Sequence, residues 1–354
     1  MEKLIDAETE KQLKSRFMSA MKGTVDVKVF TNPIIAPGDN QTQEIYNFAI
    51  QLVRELSAID PRIIPQELTM SDPAARALGL TTSPSIAVGY DLGYRIIYNG
   101  APLGYEATGF IETILTVSSN ESGLSGAAKK AAGLIEKETK IQVFVTPTCP
   151  YCPKAVLTAN RLAVERKGII VAECVESAEN QELAKKFNVS SVPMQVINGN
   201  PDSALTGALP DESVALQALK FGAPEKYDDF EKAISTEKAE KEKLIDNPSG
   251  VVYITDSNFK QALTKYEKLV VDCWAPWCGP CRMLSPIIEE LASERPGGIV
   301  FGKLNTDENP VVAAENNISS IPTVLVFRNG ALKGTIVGAQ PKQELLMKIN
   351  EMIG

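Results

Sequence analysis

The sequence predicts an α/β protein made of three tandem copies of one small sheet-and-helix unit. Three observations carry this. Two Cys-x-x-Cys pairs, Cys149/Cys152 and Cys278/Cys281, each follow a short apolar strand-like run and open a segment with apolar residues at helical spacing. From each leading cysteine a proline lies 44 positions on, Pro193 and Pro322, inside the matching segments NVSSVPMQVING and NISSIPTVLVFRNG. Shifting Pro193 back by 109 reaches Pro84 in GLTTSPSIAVG, behind the strand-like VDVKVF and the helical QEIYNFAIQLVREL in the same order. Self-similarity of this kind marks a repeat architecture.

The first copy is expected over residues 1–120, ending in SSNESG. The shift that aligns the prolines places Asn40 and Gln43, or one residue earlier Asp39 and Thr42, where the other copies have cysteines, so this copy has no thiols. Its longer loop, TNPIIAPGDN, ends in Asp and Asn, which are good helix N-caps. The second copy spans 121–225: IQVFV reads as a strand, TPT as a loop and CPYCPKAVLTANRLAVE as a helix. The charged run EKYDDFEKAISTEKAEKEK follows, with Glu237 and Lys241 at helical spacing. Residues 226–250 therefore read as a solvated helical linker ending at Asn247-Pro248-Ser249-Gly250. The third copy, 251–354, contains KLVVDCWAPWCGPCRMLSPIIEEL, with Met283, Leu284, Ile287, Ile288 and Leu291 at helical spacing.

Composition narrows the function. The 354 residues carry a formal net charge of -8 and a pI near 5.0. That argues against nucleic acid or an anionic membrane as partner, because phosphate binding needs a basic surface. The start is charged and lacks the apolar stretch of a secretory signal, and no run approaches the length of a membrane span, so the cytoplasm is the expected location. There is no histidine, which excludes Ser-His and Cys-His nucleophiles and His-ligated metals.

The six cysteines are then a metal clip, a structural staple or a redox couple. A staple closes long loops, and these pairs close almost none. A four-thiolate zinc site usually draws on pairs roughly 15–20 residues apart. Here a whole copy and a linker separate the pairs, and each pair has its own proline partner. The redox couple is the reading that remains. Cys174 and Cys273 lie in apolar strand-like runs and read as buried core thiols.

The family resemblance is carried by specific words. Residues 251–354 resemble thioredoxin through VDCWAPWCGPCR, Pro286, KLNTDENP, SSIPTVLVF, Gly330 and Gly338. Residues 1–225 are similar to the two-unit, glutaredoxin-like protein disulfide oxidoreductases of thermophilic archaea and bacteria, through VFVTPTCPYCP, AECVES and GAPLGYE. They depart from that family in lacking the first Cys-x-x-Cys. In this they resemble the N-terminal module of the flavoprotein that reduces alkyl hydroperoxide reductase. The resemblance implies three thioredoxin-fold units, each a central mixed β-sheet flanked by helices.

Thiol exchange needs a thiolate, and a helix N-terminus favours one through its free N–H groups and dipole. Cys149 and Cys278 are the expected nucleophiles, and Cys152 and Cys281 the resolving thiols. Pro150 and Pro280 suit a first helical turn. Asp272 stands inside the apolar run LVVDCW, where burial should raise its pKa. In thioredoxins the matching carboxyl assists the resolving cysteine, and the resemblance makes Lys303 its expected partner. In ungapped register the second copy has Val143 and Cys174 at these positions. Glu173 or Glu176, depending on strand phase, or water, is left as its proton acceptor. The fold implies that Pro193 and Pro322 are cis. The preceding Val192 and Ile321 would pair with substrate backbone, Trp277 and Tyr151 would line the contact surface, and Trp274 would pack beneath the loop.

No dinucleotide or flavin motif is present, so no cofactor is expected within the chain. The expected function is reduction of disulfide-bearing protein substrates, with electrons from a thioredoxin-reductase-type flavoprotein. Thioredoxin sits near ~−270 mV and glutaredoxins at about −200 to −230 mV, so transfer from WCGPC to CPYC is downhill by roughly 40–70 mV, or ~2–3 kcal/mol. That predicts an internal relay. The alternatives are a dedicated electron carrier to a peroxiredoxin or a disulfide isomerase, with the first copy a binding or dimerisation platform.

Overall fold

The repeat in the sequence is a repeat in strand order. The computed structural model describes residues 3–34, 36, 38–275, 278–294 and 296–354. The first copy contains α1 (Ala7–Ala20), β1 (Val25–Thr31), α2 (Asn40–Ile59), β2 (Ile63–Thr69), α3 (Pro73–Ala77), β3 (Ser85–Val88), β4 (Ile96–Asn99) and α4 (Glu106–Ser119). The second contains α5 (Gly126–Gly133), β5 (Thr139–Val145), α6 (Cys152–Glu165), β6 (Ile170–Glu176), α7 (Gln181–Lys186), β7 (Met194–Ile197), β8 (Asn200–Thr206) and α8 (Asp211–Gly222). Helix α9 (Pro224–Lys241) follows. The third contains β9 (Val252–Tyr253), α10 (Phe259–Lys265), β10 (Lys268–Trp274), α11 (Gly279–Glu294), β11 (Val300–Asn305), α12 (Pro310–Glu315), β12 (Thr323–Arg328), β13 (Ala331–Val337) and α13 (Lys342–Ile353).

Each copy shares a four-strand core of one parallel pair with an antiparallel hairpin on its other side, β2-β1-β3-β4, β6-β5-β7-β8 and β11-β10-β12-β13, and in the third copy β9 adds in parallel to the edge of β11. The first two copies do not fold apart. β4 pairs in parallel with β6, which makes one eight-stranded sheet, β2-β1-β3-β4-β6-β5-β7-β8. By contact the chain separates into two units, one ending at Glu231 and the other Lys232–Gly354. α9 straddles that division with no buried residue, and its Lys241 and Glu237 pair at 2.7 Å, as their spacing predicts.

The core follows from the sequence period. β5, β6 and β10 lie inside their sheets and are buried along nearly their whole length, which explains their almost unbroken apolar runs. In the first unit a single cluster runs from Phe17 and Val27 through Tyr98 and Phe110 to Val143, Ala159 and Leu219. In the second unit β10 sends Leu269 and Val271 to one face, with Phe259 and Phe327, and Val270 to the other, with Leu284, Ile288 and Leu345. The thiol-free copy keeps its helix start: Asp39 caps α2 by accepting from the Thr42 N–H at 3.1 Å.

Candidate active sites

Both Cys-x-x-Cys pairs sit where a central strand hands over to a helix. Each is a disulfide, with Cα atoms 5.5 Å apart in Cys149–Cys152 and 5.3 Å in Cys278–Cys281. The outer sulfurs lie at the helix mouths. Cys149 Sγ accepts from the Cys152 N–H at 3.2 Å, and Cys278 Sγ from the Cys281 N–H at 3.1 Å. These are the orphan donors of the first turns of α6 and α11, and they favour negative charge on the outer sulfur. The inner cysteines are the more deeply buried of each pair. Pro150 precedes α6, and Pro153 takes its first turn instead, because a turn from Thr146 to Cys149 delays the helix start.

The repeated prolines share one backbone geometry. The Ser83–Pro84, Val192–Pro193 and Ile321–Pro322 peptide bonds are all cis. The Val192 carbonyl oxygen lies 3.8 Å from Cys149 Sγ. Pro193 and Pro322 are buried, whereas Val192 and Ile321 are half-buried. Tyr151 is 69% exposed. Trp277 lies outside the described residues.

Asp272 is fully buried, on a strand flanked on both sides. Neither of its carboxyl oxygens has a hydrogen-bond partner among the described residues. Burial raises its pKa to about 6, moderated by the positive charge of Lys303 and reinforced by Glu289. Lys303 lies opposite it in register but makes no ion pair with it. Its ammonium instead donates to Ser285 Oγ and to Glu289, both at 3.0 Å, and sits 5.1 Å from the centre of the Trp274 ring. Lys303 thus acts on Asp272 through space, because its long side chain carries the ammonium to Ser285 and Glu289 instead.

The second copy departs from the sequence reading. Glu173 accepts from Lys140 at 2.6 Å and Gln142 at 2.9 Å, and Glu176 accepts from the Glu179 N–H at 2.6 Å. A third buried carboxyl is Glu106, the first residue of α4 in the thiol-free copy, and α4 packs against α6 through Gly109 and Pro153. Glu106 is 2% exposed, and its Oε2 lies 3.9 Å from Cys174 Sγ. Burial raises its pKa to about 7, and the Cys174 contact lowers it slightly. The chain around it docks on the CPYC loop: the Tyr105 N–H donates to the Pro147 carbonyl at 3.1 Å. At Gly104, with φ +59, a Cβ would lie 2.3 Å from that same oxygen, and at Gly109 it would meet Pro153 at 3.2 Å. Glu106 was discoverable: in EATGFIETILTV it falls on the stripe of Phe110, Thr113, Ile114 and Val117, where a charge has no solvated place. Cys174 and Cys273 are buried free thiols, with Cys273 pushed up to about 12 by burial.

Comparison with known proteins follows the same division. Residues 250–351 match the family model described as thioredoxin, and residues 139–220 match one described as thioredoxin domain. The thioredoxin of Pyropia yezoensis is 46% identical over 104 residues, 29% of this chain and 97% of that protein. The chloroplastic M-type thioredoxin of Spinacia oleracea is 48% identical over 101 residues, 28% of this chain and 56% of that protein. Among solved structures, a protein disulfide oxidoreductase from Aeropyrum pernix superposes with a TM-score of 0.53 at 24% identity, covering 62% of this chain and 94% of that one. The NTD_N/C domain of the alkylhydroperoxide reductase AhpF from Enterococcus faecalis gives 0.51 at 23%, covering 60% and 98%. The last two likenesses are of fold. No described helix is long and apolar enough to cross a membrane.

Proposed function

Because the chain belongs to the thioredoxin family and is a thiol-disulfide oxidoreductase, we propose that it reduces protein disulfides through two dithiol centres in series, WCGPC feeding CPYC. The observation that carries this reading is that each centre has its own complete set of parts. Each has an outer sulfur held by a helix N–H, a cis-proline and a buried carboxyl, Asp272 in one and Glu106 in the other.

The exchange balances as follows. The Cys149 thiolate attacks a client disulfide; a Cys149–client bond forms and one client thiolate leaves. Glu106 takes the proton of Cys152, whose thiolate attacks Cys149 Sγ and releases the second client thiolate. The client gains two electrons and CPYC becomes a disulfide. The Cys278 thiolate then attacks Cys149, so that a Cys278–Cys149 bond forms as the Cys149–Cys152 bond breaks and the Cys152 thiolate leaves; Cys281, deprotonated by Asp272, attacks Cys278 and expels the Cys149 thiolate, which restores the CPYC dithiol and leaves WCGPC a disulfide. A raised carboxyl pKa suits both acceptors, since a proton moves best between groups of similar affinity. The WCGPC disulfide is reduced in turn by an external two-electron donor of the thioredoxin-reductase flavoprotein class.

Replacing Cys281 with serine tests the series, because it leaves the mixed disulfide nothing to resolve it. A Cys278–Cys149 or Cys278–Cys152 bond should accumulate and appear in peptide mapping under non-reducing conditions. Its absence ends the relay reading, as does equal client turnover by each unit alone. A second reading, a dedicated carrier to a peroxiredoxin, is favoured by the lack of any cysteine before Cys149. Turnover of a peroxiredoxin well above that of insulin would select it.

A further inference from the structure

The two centres differ in what stands beside their carboxyl. In β10 and β11 the register sets Asp272 opposite Lys303. In β5 and β6 the equivalent register sets Val143 opposite Cys174. A thiol thus occupies the place that a lysine holds in the other centre. Cys174 is also opposite Tyr98 of β4, so it lies at the junction of the two halves of the eight-stranded sheet. It is 5% exposed. Its contact with Glu106 Oε2 at 3.9 Å is the one hydrogen bond made by that carboxyl among the described residues, since Oε1 has none.

We propose that Cys174 is a positioning residue of the CPYC centre: its S–H donates to Glu106 and fixes where that carboxyl sits beneath the catalytic helix. This rests on Glu106 being the proton acceptor for Cys152. The ionisable groups acting on Cys174 are Glu106 from α4, Glu176 at the end of its own strand and Glu179 in the turn after it. Tyr98 from β4 feels both Cys174 and Glu106, and α6 with the turn before it brings the two cysteines of the centre. Against these acidic groups the Cys174 thiol stays protonated, held far above its usual range by burial first and by Glu106 next. It is therefore a permanent donor. A lysine there would add a buried positive charge and hold Glu106 ionised; a thiol orients the carboxyl and adds no charge.

The test uses the full chain with Cys278→Ser and Cys281→Ser, so that only CPYC reacts. The reduced protein is mixed with 5,5′-dithiobis(2-nitrobenzoate), and the second thionitrobenzoate released, by attack of Cys152 on the Cys149 adduct, is followed against pH. Cys174→Ala removes the donor and should move the midpoint of that profile upward by about half a pH unit, as a weak hydrogen bond to the carboxylate is lost. Cys174→Ser keeps a donor and should hold the midpoint, and Cys174→Lys should move it downward. In a Glu106→Gln background the midpoint should vanish and Cys174→Ala should have no further effect. A midpoint that is unmoved by Cys174→Ala but abolished by Glu106→Gln overturns the proposal and spares the role of Glu106. A midpoint that survives Glu106→Gln overturns both.

Discussion

At Asp272 a carboxyl sits fully buried with no hydrogen bond, which is costly unless the group holds a proton. Its folded pKa of about 6 lies above the ordinary 3.8. Between those values the folded state keeps a proton that the unfolded state has lost. Stability therefore falls as pH rises from about 4 to about 6, and the full penalty, about 3 kcal/mol, stands at neutral pH. Asp272→Asn should remove this slope: the stability difference between variant and parent should shift by about 3 kcal/mol in the variant's favour from pH 4 to pH 7. Both tryptophans, Trp274 and Trp277, belong to the third copy, so denaturant unfolding followed by tryptophan fluorescence reads this unit alone. A constant difference across that range would contradict the account. The same variant should slow release of the WCGPC mixed disulfide by ten-fold or more near neutral pH, because Cys281 loses its acceptor.

At the level of elements, the CPYC centre depends on a loop from another copy. Gly100, at φ +111, passes so close to β6 that a Cβ would lie 2.7 Å from that of Glu176. The next residue, Ala101, donates its N–H to Glu179 Oε1 at 3.1 Å, and Asn180 donates to the Asn99 carbonyl at 2.9 Å. These contacts deliver Gly104 to the back of Pro147 and Glu106 to Cys174. Gly104→Ala adds a methyl where 2.3 Å is available, in a left-handed conformation that itself costs an L-residue about 1–2 kcal/mol. It should destabilise the first unit by at least about 2 kcal/mol and lower Cys149 alkylation at pH 7 several-fold, while Cys278 alkylation is unchanged. Equal rates at Cys149 would show that the loop is ornamental. This region also marks the limit of what the sequence discloses. The two cysteine pairs and the prolines were legible because copies repeat them at fixed intervals, and Asp272 because a carboxylate inside the apolar run LVVDCW stands out. Glu106 broke that logic: its counterpart in the other centre is on a strand, and it reaches CPYC through the pairing of β4 with β6, which no interval along the chain encodes. Lys303, expected as the partner of Asp272 from the resemblance, lies opposite it in register, but the direction of its side chain toward Ser285 and Glu289 was not legible.

At the scale of the molecule, the first copy has no cysteine yet packs directly on the CPYC copy. Its strand β4 covers the edge of β6, its helix α4 carries the buried Glu106, and Tyr98 of β4 and Thr113 of α4 accept from the Asn160 side-chain amide of α6 at 3.1 and 2.8 Å. Residues 121–231 alone would expose the unpaired edge at Ala172–Val175 and the apolar surface vacated by Tyr98, Phe110 and Ile114. That fragment should show no cooperative thermal transition by circular dichroism. Residues 232–354, with their own five-stranded sheet and two core clusters, should unfold cooperatively and keep the Cys278 reactivity of the full chain. The first copy is then an obligatory half of the CPYC centre, and the contrast with a separable platform is sharp. A platform can be cut away and leave CPYC reactive, so a folded 121–231 fragment that alkylates at Cys149 as fast as the intact protein would reverse the conclusion.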